Sequence, residues 1–128
     1  MIQKCSIFNV LEIFFKEPMR INFIRGIARE IRLAQTSVRN HIKELEKLGL
    51  IQKKKGRPFD GFVANRENDK FIYYKQAYNY YSLYDIREQI AETVHPKAIV
   101  IFGSYSKGED IETSDIDILV ISKIRKDL

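Results

Sequence analysis

The sequence predicts a mixed α+β fold, because helical and strand patterns occupy separate stretches of the chain. Apolar residues recur at helical spacing from residue 6 to residue 48 and again from residue 69 to residue 94. One pair of strand-like segments flanks Gly56-Arg57-Pro58, and a second pair lies in the last third of the chain. We expect a first domain at residues 1–66, a helical connector at 67–95 and a partial α/β module at 96–128.

The composition is typical of a folded protein that has neither a membrane span nor a cysteine or zinc scaffold. Of the 128 residues, 45% are apolar and 30% are charged, unlike the composition of disordered chains. No apolar run approaches the ~20 residues of a membrane-spanning helix, and residues 1–6 lack the pattern of a secretory signal. Cys5 is the single cysteine, and His41 and His95 are isolated. We therefore expect a cytoplasmic protein.

Positive charge is concentrated in the first part of the sequence. Residues 1–70 contain 15 basic and 8 acidic residues, whereas residues 71–128 contain 7 basic and 9 acidic residues. A basic surface attracts a polyanion such as DNA or RNA, because contacts with phosphates release condensed counterions. The two parts of the chain are therefore expected to perform different tasks.

Two helices are predicted before residue 32. The first covers Ser6–Phe15 and ends before Pro18. Asn22 is the expected N-cap of the second helix, which runs to Ile31. The residues that this second helix is expected to bury are Phe23, Ile24, Ile27 and Ile31.

A third predicted helix begins at Gln35 or Thr36 and has one apolar and one polar face. The apolar face consists of Val38, Ile42, Leu45 and Leu48. The polar face presents Thr36, Arg39, Asn40, Lys43 and Lys47. Arginine and lysine can contact phosphates or guanine, and asparagine can pair with adenine in the major groove. The alternative is that these five residues form only a solvated helix face.

A basic β-hairpin is predicted after Gly49, which ends the third helix. Its positive residues are Lys53, Lys54, Lys55 and Arg57. Residues 36–51 (TSVRNHIKELEKLGLI) resemble the recognition helix and first wing strand of prokaryotic winged helix-turn-helix regulators. The resemblance covers residues 5–66 and implies that the polar helix face and the hairpin bind double-stranded DNA. Charge protection of an exposed strand edge is the alternative explanation for the hairpin lysines.

The connector contains most of the tyrosines. Asn68 or Asp69 is expected to cap a helix that runs to about Tyr84, and an amphipathic helix ending at His95 follows. The helix carries two stripes made mostly of aromatic residues, with Phe71, Tyr74, Tyr78 and Tyr81 on one side and Tyr73, Ala77, Tyr80 and Tyr84 on the other. We expect one stripe to pack on the first domain and the other on the next domain or on a second subunit. The alternative is that these aromatic side chains stack on the bases of a single-stranded nucleic acid.

The C-terminal part combines a glycine–serine turn with paired acids. Residues 98–102 form an apolar strand, and Gly103 and Ser104 follow directly. Ten residues further on, acids and apolar residues alternate, which predicts a strand with Asp115 and Asp117 on one face, about 7 Å apart at their Cα atoms. Two such carboxylates can bind divalent cations. Gly103 allows the backbone to approach a phosphate, to which the Ser104 hydroxyl can donate.

Residues 102–110 and 114–120 (FGSYSKGED and SDIDILV) resemble the signature of the DNA polymerase β-type nucleotidyltransferase superfamily, in particular its minimal prokaryotic members. The resemblance implies that Gly103 and Ser104 bind the phosphates of an NTP. It also implies that Asp115 and Asp117 hold Mg²⁺ and, with Ser104, form the catalytic site. The superfamily uses a third carboxylate on a later strand, and Asp127 is the sole acid after Asp117. We therefore expect a truncated or degenerate domain, which leaves enzymatic activity open.

The main prediction is a homodimeric, DNA-binding transcriptional regulator whose C-terminal module binds Mg²⁺ and a nucleotide. Two-fold symmetry would match two half-sites on duplex DNA. The alternative is a nucleotidyltransferase that transfers NMP from an NTP to a hydroxyl of a protein, such as a toxin-like partner, or of RNA. In that case the first domain positions the substrate. A purely structural interaction module is the third possibility.

Overall fold

The computed structural model describes residues 5–123, in which it has six helices and two small antiparallel sheets. This confirms the mixed α+β class. The elements are α1 (Ser6–Lys16), α2 (Ile24–Ile31), α3 (Gln35–Lys47), β1 (Ile51–Lys54), β2 (Gly61–Ala64), α4 (Asp69–Ser82), α5 (Tyr84–Val94), β3 (Ala98–Phe102), α6 (Gly103–Lys107) and β4 (Asp117–Ile121). The chain divides after Phe71 into two compact units. Within residues 5–123, every helix is too short or too polar to span a lipid bilayer.

The first unit encloses an apolar core between its three helices and its hairpin. The largest fully buried side chains of this core are Val10, Phe14, Phe15, Ile27, Val38, Ile42, Leu45, Leu50, Ile51 and Phe71. The Phe15 and Phe71 rings pack with their centroids 5.5 Å apart. The three predicted helices are present, because the apolar residues at helical spacing supply this core.

The hairpin is formed by β1 and β2, which pair from Ile51↔Ala64 to Lys54↔Gly61. Gly49 precedes it with a φ angle of 79°, which confirms Gly49 as the residue that ends α3. Such a left-handed conformation is accessible to glycine without a steric penalty.

The start of α2 differs from the prediction. Asn22 is not the N-cap: that position is Phe23, which makes no side-chain capping bond. Instead, the Asn22 amide donates to the Phe62 carbonyl at 2.7 Å, and the Phe62 amide donates to the Asn22 carbonyl at 2.8 Å. This bridge buries Asn22 and leaves Phe23 exposed. Leu48, also expected in the core, is exposed because it lies at the C-cap of α3.

The exposed side of α4 carries tyrosines. Asn68 caps the helix, since its side-chain oxygen accepts a hydrogen bond from the Lys70 amide at 2.8 Å. Five tyrosines of the two stripes are exposed in this chain, namely Tyr73, Tyr74, Tyr80, Tyr81 and Tyr84. The expected packing of the stripes on the first domain and on the next domain or a second subunit stays a prediction. The buried stripe of α4 is Phe71, Lys75 and Asn79.

The second unit is built around an antiparallel pair of strands. β3 and β4 pair from Ala98↔Ile121 to Phe102↔Asp117. Burial alternates along both strands, and one face exposes Val100, Phe102, Leu119 and Ile121. The sheet ends where α6 begins, so the last strand pair lies next to the glycine–serine turn.

Candidate active site

The glycine–serine turn lies between β3 and α6. Gly103 is the first residue of α6 and has a φ angle of 75°, a conformation that L side chains rarely adopt. Ser106 stabilises the turn, because its hydroxyl donates to the Gly103 carbonyl at 2.8 Å. The position therefore favours glycine on backbone conformation alone.

The structure brings Gly103 and Asp117 together. A Cβ atom on Gly103 would collide with an oxygen of the Asp117 carboxylate and would lie 3.3 Å from its Cγ atom. This approach follows from the strand register, because Phe102, the residue before Gly103, pairs with Asp117. The missing side chain of Gly103 thus leaves room for the carboxylate beside the glycine–serine turn.

Asp115 lies outside the strand that the sequence predicts for it. β4 begins at Asp117, so Asp115 and Ile116 belong to the preceding loop. The prediction that both carboxylates alternate on one strand face is therefore wrong. The reason is that β3 ends at Phe102, which leaves residues 115 and 116 without a strand partner. A turn leads into this loop. In this turn the Ser114 hydroxyl accepts a hydrogen bond from the Ile111 backbone amide at 2.9 Å.

The donor set of this site fits a magnesium ion that is shared with a triphosphate. The Asp115 and Asp117 side chains are both exposed, and carboxylate oxygens together with waters and substrate phosphates are the ligands that Mg²⁺ prefers. Among residues 5–123, no cluster of three or more metal-ligating side chains is present. Asp127 lies outside the described residues. The role of Asp115 and Asp117 as ligands of such an ion stays a prediction.

A buried polar network connects α4 with α6 and with the loop that follows it. The Lys75 ammonium lies 2.9 Å from Asp110 Oδ2 and donates to Asn79 Oδ1 at 3.1 Å. The Asn79 amide donates to Asp110 Oδ1 at 2.7 Å and to the Tyr105 carbonyl at 2.9 Å. Gln76 adds a bond from its amide to the Ser106 carbonyl at 2.7 Å. These contacts hold the backbone of α6, and with it the glycine–serine turn.

Sequence reasoning missed this network. It treated α4 as an aromatic helix, although Lys75 and Asn79 follow Phe71 at intervals of four residues on the same face. The signal in the sequence is that polar residues occupy the helix face that is expected to be buried. A buried charge requires a partner, so this face predicts a polar network.

Tyr105 is part of the same network. Its hydroxyl donates to the Asn79 carbonyl at 3.2 Å. Burial raises the pKa of Tyr105 above its ordinary value of 10.0, and the nearby Asp110 carboxylate raises it further. A hydrogen bond with Ser82 acts in the opposite direction. Tyr105 therefore stays protonated at neutral pH.

In the first unit, the residues predicted to bind DNA are all exposed. This holds for α3 (Thr36, Arg39, Asn40, Lys43 and Lys47) and for the hairpin (Lys53, Lys54, Lys55 and Arg57). Three of them, Arg39, Lys43 and Lys53, also line a cavity between α2, α3 and the hairpin. The remaining six lie on the surface outside this cavity.

A family model matches part of the second unit. Residues 83–127 match the model of the nucleotidyltransferase domain family. This match supports the resemblance of the segments around Gly103 and Asp117. The resemblance of residues 5–66 to winged helix-turn-helix regulators stays a prediction.

Two relatives come from Methanocaldococcus jannaschii, and the name of each describes a protein adenylyltransferase. One is 53% identical over 34 residues, which are 27% of this chain and 40% of the relative. The other is 50% identical over 34 residues, which are 27% of this chain and 35% of the relative. The aligned segment thus spans well under half of each relative. No solved structure matches the chain.

Proposed function

We propose that this chain carries the nucleotide-binding site of a nucleotidyltransferase. The observation that carries the proposal is the close approach of the Asp117 carboxylate to Gly103, beside Ser104. This arrangement lies inside the matched domain, and the names of the two relatives favour ATP as the nucleotide. Enzymatic transfer is thereby favoured over the predicted regulator.

The proposed reaction moves a nucleoside monophosphate from an NTP to a hydroxyl group. The hydroxyl oxygen forms a bond to the α-phosphorus, the bond between the α-phosphorus and the bridging oxygen breaks, and pyrophosphate leaves. The hydroxyl proton passes to a base or to water. Ser104 would donate to the phosphates, and Asp115 and Asp117 would hold Mg²⁺, which supplies charge neutralisation on the triphosphate. The acceptor is a hydroxyl of a protein or of RNA.

A labelling experiment tests this proposal. The chain is incubated with Mg²⁺ and ATP that carries the label on its α-phosphate, with the chain itself, added proteins and added RNA as acceptors. We expect label on a macromolecule, and none when the label is on the γ-phosphate. Asp117→Asn should abolish the transfer, whereas Asp85→Asn, which changes an exposed carboxylate of α5, should not. Label that comes from the γ-phosphate, or no label on any acceptor, would overturn the proposal.

A second function is proposed for the first unit, namely binding of double-stranded DNA. It is supported by the exposure of five polar or basic side chains on α3 and of four cations on the hairpin. A homodimer with two copies of α3 is the assembly proposed for a two-fold site. The proposed role of this DNA binding is regulation of transcription or positioning of the substrate.

Fluorescence anisotropy with labelled duplex across a salt series tests this second function. Arg39→Ala/Lys43→Ala should weaken binding and flatten the salt dependence. Lys107→Ala, at an exposed lysine of the second unit, should have no effect. Duplex binding that is unchanged in the double variant would contradict the assignment.

A further inference from the structure

A groove lined by aromatic and basic side chains lies between α2, α3 and the hairpin. Its cavity volume is about 410 Å³, which lies within the range of small-ligand sites. It lies entirely within the first unit, so its shape depends only on elements that pack on one core.

Two exposed phenylalanines form the walls of the groove. Phe23 is 47% exposed and Phe59 is 59% exposed. The Phe23 ring lies against β2 at a glycine, since a Cβ atom on Gly61 would be 3.2 Å from Phe23 Cε1. The Arg25 guanidinium lies 5.6 Å from the centroid of the Phe59 ring. Both rings are therefore held in place by a neighbour although they face solvent.

The charge of the groove is positive. Four cations line it, namely Arg25, Arg39, Lys43 and Lys53, against two acids, Glu46 and Asp60. The Asp60 carboxylate also accepts a hydrogen bond from the Gly56 amide at 3.3 Å. No acidic side chain among residues 5–123 lies within ion-pair distance of any of the four cations. Their charge is thus available to a ligand.

We propose that this groove binds an unpaired nucleotide of a single-stranded nucleic acid. Flat aromatic rings stack on a base of any identity, and adjacent cations bind the phosphates that flank it. A base inside a duplex cannot stack in this way, because its faces are already covered by its neighbours. The inference rests on the proposed nucleic-acid binding of the first unit, and it adds a site for an unpaired nucleotide to the surface proposed for duplex DNA.

Phe59 separates this proposal from duplex binding by α3. Arg39, Lys43 and Lys53 would contact phosphates in either case, whereas an exposed ring in the groove matters only when a base stacks on it. Substitution of Phe59 should leave the fold intact, because a side chain that is 59% exposed contributes little to the core.

The test compares a labelled single-stranded oligonucleotide of about ten nucleotides with a blunt duplex of the same sequence by fluorescence anisotropy. Wild-type protein should bind the single strand more tightly. Phe59→Ala should weaken single-strand binding by about 5- to 150-fold, the range for loss of one stacked base, and leave duplex binding unchanged. Leu119→Ala is the control, since Leu119 is also an exposed apolar side chain, 51% accessible, but lies in the second unit.

Two results would overturn this inference and leave the duplex proposal intact. One is tighter binding of the duplex than of the single strand, and the other is single-strand binding that Phe59→Ala does not change. A polyglutamate peptide that competes as well as the oligonucleotide would overturn it in favour of a general polyanion groove. The absence of binding to any nucleic acid would overturn both proposals for the first unit.

Discussion

The Lys75 ammonium and the Asp110 carboxylate form an ion pair of 2.9 Å in the interior of the second unit, with side chains that are 2% and 11% exposed. Both oxygens of the carboxylate have partners, because Oδ2 contacts Lys75 and Oδ1 accepts from Asn79. A buried pair with complete hydrogen bonding fixes the relative position of the segments that carry it. Here those segments are α4 and the loop after α6.

Lys75→Met should strongly destabilise the protein. The substitution keeps much of the side-chain volume but leaves the Asp110 charge buried without its partner, which costs about 3–5 kcal/mol. The free energy of unfolding, measured with urea, checks this prediction. Arg87→Ala is the control, because the Arg87–Glu88 pair is exposed and its loss should change stability by less than about 0.5 kcal/mol. Equal effects of the two substitutions would contradict the role of the network.

Gly103→Ala should impair nucleotide binding. The new methyl group would collide with the Asp117 carboxylate, and the φ angle of 75° would add strain of about 1 kcal/mol or more. Gly26→Ala is the matched control, since a Cβ atom there meets no atom within 4 Å. In the helix α2 it should stabilise the protein by about 0.5–1 kcal/mol. Thermal denaturation and nucleotide titration measure both effects, and normal binding by Gly103→Ala would speak against the site.

Stability should depend on Tyr105 at alkaline pH. Because the folded-state pKa of Tyr105 is raised above 10.0, the unfolded chain loses this proton first. The contribution of Tyr105 to stability is therefore present below about pH 10 and is lost as pH rises through the folded-state pKa. Urea denaturation from about pH 9 to about pH 11 should show a smaller loss for Tyr105→Phe than for wild type. Parallel pH profiles would be inconsistent with the burial of this hydroxyl.

Local patterns predicted much of the fold. The three helices of the first unit and Gly49 follow from periodicity and from the backbone freedom of glycine, which act over a few neighbouring residues. The glycine–serine turn was also predictable, because an apolar strand leads directly into Gly103. Such features need no knowledge of distant partners.

The remaining features depend on residues that are far apart in the chain. Lys75 and Asp110 are 35 residues apart, and neither position alone indicates the other. Asn22 was expected to cap a helix, but pairing with Phe62 supplies two backbone hydrogen bonds instead. The start of β4 at Asp117 was missed because the end of β3 determines it. In each case a contact with a distant part of the chain determined the structure, although the local sequence favoured a different one.

Calorimetric titration of the full chain with ATP, with and without Mg²⁺, measures whether Gly103, Ser104 and Asp117 form a nucleotide site. We expect binding that requires Mg²⁺. Asp117→Asn should weaken it by about 10- to 150-fold, because a charged contact worth about 1.5–3 kcal/mol is lost. Asp85→Asn should bind ATP as wild type does. Binding that does not depend on Mg²⁺, or that is unchanged in Asp117→Asn, would contradict the claim that Gly103, Ser104 and Asp117 form a nucleotidyltransferase site.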